Sequence, residues 1–167
     1  RRRLLVSSLA AAGVSVCVPV LSWASLPKAA KQGARLADLG PLGPPDANGL
    51  RLPPGFKSRI VARSGRRPVA HRSFVWHGAP DGGATFANKD GGWIYVSNAE
   101  LSQNEGGASA LRFDANGDLV DAYPILGNTN VNCAGGPTPW GTWLSCEEHP
   151  NGLVWECDPL GRAPALP

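Results

Sequence analysis

The sequence has no methionine, not even at its first position, which is Arg1. The start of the gene product is therefore expected upstream of this chain. Charge is scarce, at 17% of residues, and it is unevenly signed. Residues 1–35 hold six basic side chains and no acid, and residues 51–72 hold seven more with no acid. Residues 81–158 reverse the balance, with eleven acids against only Lys89 and Arg112. That half would repel a phosphate backbone, so no nucleic-acid partner is expected despite the net charge of +3. Its acidity suits a cation-binding surface, or else a merely solvated acidic face. Beyond residue 36 no helical apolar period is found, which excludes an amphipathic helix bundle.

What is present begins with a leader. Arg1-Arg2-Arg3 precede an apolar run from Leu4 to Leu21, and small residues follow at Ser22 and Ala24. This is the pattern of a secretory signal peptide over 1–24, cut after Ala24. Arg1-Arg2-x-Leu4-Leu5 also fits the twin-arginine signal, so the twin-arginine export machinery is an expected partner. Gly13, Ser15 and Pro19 weaken the run as a permanent span, so no stable membrane span is expected after signal removal. A retained N-terminal anchor is the alternative. Residues 25–50 are punctuated by Pro27, Pro41, Pro44, Pro45, Gly40, Gly43 and Gly49. They suit a Pro/Gly-rich linker, or an ordered coil crossing the domain.

Residues 51–167 predict an all-β body of hairpins. Trp93–Ser97 is a run of strand formers after Asp90-Gly91-Gly92. Ala110–Phe113 and Leu119–Tyr123 flank an Asn116-Gly117 turn, the strongest short hairpin signal. Thr142–Cys146 and Leu153–Cys157 flank a turn at Pro150-Asn151-Gly152. Strands at this spacing suit a sandwich, a barrel or a propeller. Asp114-x-Asn116-x-Asp118 imitates a calcium loop, but its sixth position is Leu119 rather than Gly, Gly117 comes too early, and no Glu closes it. The hairpin turn is the better reading.

Two constellations carry the candidate chemistry. The first is the block Asn132–Glu148, where a Gly/Pro/Trp loop links Cys133 to the tandem acids Glu147 and Glu148. Alternation along a strand should send those two acids to opposite faces, so at most one serves a given site. Carboxylates suit calcium or magnesium, and a thiolate suits iron or zinc. Together they point to a mixed metal centre. Cys146 and Cys157 lie on two strands of one predicted hairpin, where they either pair or stay free. The second constellation is Asn98-Ala99-Glu100 at a strand end, an amide and a carboxylate suited to ligation. His77 and His149 are too isolated in sequence to assign.

At these residues the chain resembles the PhoX-type alkaline phosphatase family. The matching pieces are Gly49–Phe56, Asp81–Phe86, Trp93–Glu100, Asn132–Gly136 and the run on through Cys146–Glu148. The resemblance implies a β-propeller, a periplasmic or secreted location, and hydrolysis of phosphate monoesters with calcium and iron. It implies an iron-ligating role for Cys133, a metal-cluster role for Glu147 or Glu148, and a place near the same centre for Asn98 and Glu100. Ala99 stands where the family often has His. At roughly 40–45 residues per blade the body holds two or three blades, an incomplete propeller. The chain alone is therefore expected to be inactive and prone to aggregate. The competing expectations are a non-catalytic calcium-binding exported propeller and a calcium-only lactonase-like or phytase-like propeller.

Overall fold

The computed structural model describes residues 36–167. The leader at 1–24 and the first part of the 25–50 segment lie outside the described residues. From Leu36 the chain makes a 3-10 helical turn, Leu36–Leu39, and then a capped loop. In that loop the Asp46 carboxylate accepts from the backbone N–H groups of Asn48 and Leu50 and from the Ser58 hydroxyl. Everything regular after that is strand, and among the described residues there is no α-helix. Among them no helix is long and apolar enough to cross a membrane.

Among the described residues seven strands make two antiparallel sheets. The first runs β1 (Pro80–Ala87), β2 (Trp93–Ala99), β3 (Gly106–Phe113) and β4 (Leu119–Thr129), each hydrogen-bonded to the next. The second runs β5 (Asn132–Pro137), β6 (Trp143–Glu147) and β7 (Val154–Cys157) in the same order. The turns follow from their residues. In the β3–β4 turn the Asp114 carboxylate accepts from the N–H groups of Asn116 and Asp118, and Gly117 takes φ 83°. That φ is costly for any residue with a Cβ. The acids of this loop therefore cap backbone, as a hairpin turn requires.

Strand alternation then divides the core. On β2 and β3, Ile94, Val96, Ala108 and Ala110 face the second sheet and pack against Trp143 and Cys157. Leu111 and Phe113 face the other way with Ala122, and they are covered by Val69 and Trp76. The segment rich in Arg thus contributes its apolar side chains to the core and keeps Arg63, Arg66 and Arg67 exposed. Arg72 ties it to β4 through Asp121, at 3.0 Å. Both faces of the first sheet are sandwiched. Its β1 also lies against β5 of the second sheet, and this contact assembles the site.

The register settles the cysteines. Cys146 lies opposite Val154, whereas Cys157 lies opposite Trp143. The two thiols are therefore offset by three residues, about 10 Å, and point to opposite faces of the hairpin. That exceeds disulfide reach, and Cys133, Cys146 and Cys157 are all free. Peptide mapping of protein prepared without reductant should recover no linkage between Cys146 and Cys157. Finding that linkage would contradict the register.

Candidate metal centre

Neither β1 nor β5 has the composition of a strand. Their sequences are PDGGATFA and NCAGGP. Three of their glycines sit where backbones nearly touch: Gly82 against β5, Gly83 against β2 and Gly135 against β6. A Cβ on Gly82 would stand 2.6 Å from the Cys133 carbonyl oxygen, and one on Gly83 would stand 2.4 Å from that of Val96. Only glycine permits such an approach. The approach delivers Asp81, at the head of β1, to the thiol of Cys133 on β5.

Two further acids arrive from strand ends. Glu100 follows β2 and is fixed by its N–H donating to the Ala79 carbonyl at 2.9 Å. Glu148 follows β6, and its N–H donates to Val131 at 2.8 Å. Val131 in turn donates to Leu101 at 2.7 Å, so one residue couples both strand ends. It does so at φ 52°, an outlying conformation for a β-branched residue. Such strain persists where the surroundings impose it, and it often marks a functional site.

The result is a compact donor set. Ligand atoms of Asp81, Glu100 and Cys133 lie within 4.8 Å of one another. The thiol hydrogen-bonds to the carboxylates of Glu148 and Asp81, and these push Cys133 up to about 12. Glu100 is also raised above the ordinary glutamate value, first by its hydrogen bond to Asp81, then by desolvation and the charges of Asp81 and Glu148. Every charged group acting on these two residues is another acid. A cluster of acids with a thiol and no cation raises its own proton affinity, and a multivalent cation would relieve it. The carboxylates are hard donors and the thiolate a soft one, so the set suits a mixed centre.

The structure separates the residues singled out in the sequence. Cys133, Glu100 and Glu148 come together. Glu147 turns to the other face, where its carboxylate accepts from the N–H groups of Asn130 at 2.7 Å and Leu153 at 3.1 Å and from the Trp155 indole at 3.1 Å. His149 stands 3.5 Å away. Asn98 is adjacent to the cluster, but its amide is committed to Cys133, Ala134, Trp143 and Ser145. His77 is not part of the donor group and is bonded to Ser109 at 3.0 Å. Its Nε2 has no partner, and burial lowers its pKa to about 4.

Asp81 is the residue that sequence reasoning left out of the site. A signal was available, since Asp81 directly precedes a Gly-Gly pair, the mark of close backbone approach. Cys146 lines a small pocket, about 240 Å³, with Cys133, Ala134, Glu147 and Glu148.

Residues 83–159 match the family model described as alkaline phosphatase PhoX. The match spans β2 to β7 and includes Glu100, Cys133 and Glu148, with Asp81 two residues before its start. No curated protein and no solved structure matches the chain.

Proposed function

We propose, from the premise that residues 83–159 are a PhoX-family segment, that this chain supplies the thiol–carboxylate part of a metal centre hydrolysing phosphate monoesters outside the cytoplasm. The observation that carries the reading is the meeting of Asp81, Glu100 and Cys133, with Glu148 the further acid acting on the pair Glu100 and Cys133 and no cation among the charges acting on them. The two stacked antiparallel sheets fit two blades of a β-propeller. The basic, apolar leader fits export.

Cys133 is the donor for iron, and Asp81, Glu100 and Glu148 are the donors for calcium or for a shared position. Bound cations would neutralise a phosphate and make bound water more acidic. The protein's part is to hold the donors and to manage their protons. Glu148 and Asp81 hold the Cys133 proton, which must leave when the thiolate takes up a metal. Glu100 shares a hydrogen bond with Asp81, so metal entry also frees that carboxylate pair. The scarcity of Arg and Lys in the acidic half fits a grip on phosphate made by cations rather than by guanidinium groups.

Element analysis and equilibrium dialysis against inorganic phosphate test the proposal. Iron together with calcium, and phosphate retention lost on Cys133→Ser, is the expected outcome. Calcium without iron, unchanged by Cys133→Ser, would favour the calcium-only propeller. No bound metal after loading would overturn the reading.

A further inference from the structure

We infer that Asn98 is a positioning residue: its buried carboxamide grips the Cys133–Ala134 backbone and aims the thiol at the acids, and it gives no atom to the metal. The inference rests on the metal-centre reading above.

Asn98 is completely buried. Its Nδ2 donates to the carbonyls of Cys133 at 2.8 Å and Ala134 at 3.0 Å. Its Oδ1 accepts from the Trp143 indole at 2.9 Å and the Ser145 hydroxyl at 2.8 Å. A carboxamide has two N–H donors and one oxygen with two lone pairs, so all four sites are filled. Its orientation is fixed as well. A flip would set N–H against the indole N–H, which can only donate, and oxygen against two carbonyls. No lone pair is left for a cation.

The place gripped is where β5 needs holding. The β5–β6 register shifts between Asn132 and Gly135, so Cys133 and Ala134 lie in a bulge. Bulges re-aim side chains and leave backbone groups without ladder partners. Asn98 reaches from β2 and supplies the missing donors. Behind it stands an ordered relay. Thr129 donates to Asn132 at 2.5 Å, Asn132 to Ser145 at 3.0 Å, and Ser145 to Asn98. Each hydroxyl and amide in this chain is used, and such a chain reinforces itself. The bulge is thus locked to the β2 strand end, which continues into Glu100. One side chain sets the spacing between the soft donor and a hard one.

Asn98→Asp is the informative change, since it keeps the shape and the acceptors while removing both donors to the bulge. The probe is cobalt(II), titrated into the purified full chain and followed by its thiolate charge-transfer band, with circular dichroism and thermal unfolding alongside. Wild type should show the band. Folded Asn98→Asp should bind cobalt about 10- to 100-fold more weakly, as loss of an outer-shell partner does, with the band diminished. Ser145→Ala removes one relay donor but keeps the grip. It should lower the melting temperature and hold cobalt affinity within about twofold, well short of that loss. A purely structural Asn98 would make cobalt binding follow stability in both variants. Should Asn98→Asp not fold, Asn98→Ser takes its place with the same expected loss. A folded variant at position 98 with wild-type band and affinity overturns the inference alone. A wild-type protein without the band overturns the metal-centre reading, and this inference with it.

Discussion

Glu147→Ala is expected to lower the melting temperature by roughly 10 °C and spare cation binding, whereas Glu148→Ala should spare stability and abolish it. The neighbours differ because a strand sends them to opposite faces. The Glu147 side chain is only 7% exposed, and it accepts from Asn130, Leu153 and Trp155. Truncation leaves two backbone N–H groups and an indole without their acceptor. Charged hydrogen bonds and orphaned buried donors each weigh about 1–3 kcal/mol, so about 3 kcal/mol in total is reasonable. Glu148 is exposed and its main neighbours are a thiol and acids, so its removal deletes repulsion rather than support.

The two acids also differ in pH response. Desolvation pushes Glu147 upward, but the donors of Asn130, Trp155 and Leu153 outweigh it and hold its pKa below the ordinary value of 4.5. Its contribution is therefore present above that value and lost as pH falls through the depressed one. Wild type should lose stability in that acid window, and Glu147→Ala should show a flatter profile. Equal melting temperatures for the two variants would contradict the assignment.

The hairpins were legible because their residues obey local rules. Trp93–Ala99 and Leu119–Thr129 are built from strand formers, and Asn116-Gly117 turns the chain between β3 and β4. The strands β1 and β5 were not legible, since PDGGATFA and NCAGGP contradict strand propensity. These two strands abut each other to bring Asp81 to Cys133. Local preference is given up where the backbones must meet, as expected at a functional site. The alternation rule separated Glu147 from Glu148 by face, but periodicity carries no information on which face holds the thiol. The long-range role of Asn98 was equally hidden. Its partners are 35 to 47 residues away along the chain, and an amide at a strand end reads as a ligand or a cap until those partners are known.

Cation binding should stabilise the protein strongly in mild alkali and scarcely in acid. At a cation concentration about 100 times its Kd, linkage gives about 2.7 kcal/mol, on the order of 10 °C for a body of this size. The pH dependence follows from raised pKa values. The folded-state pKa of Glu100 is raised, so its contribution to the metal-free fold is complete below the ordinary 4.5 and lost as pH rises through the raised value. Cys133, raised from 9.0 to about 12, gives a contribution complete below 9.0 and lost as pH climbs toward 12. Both losses come first from hydrogen bonds to neighbouring acids that ionisation gives up, with desolvation and like charge adding to them, and a cation reverses that cost. Binding also displaces the thiol proton, so affinity rises with pH. Melting curves with calcium or cobalt(II) at about pH 5 and about pH 8 should therefore diverge, with the larger rise at the higher pH. Glu147→Ala should keep that divergence from a lower baseline, because its carboxylate holds backbone. Glu148→Ala and Cys133→Ser should lose it. A rise of equal size at both pH values would show that the cation binds away from the thiol and its acids.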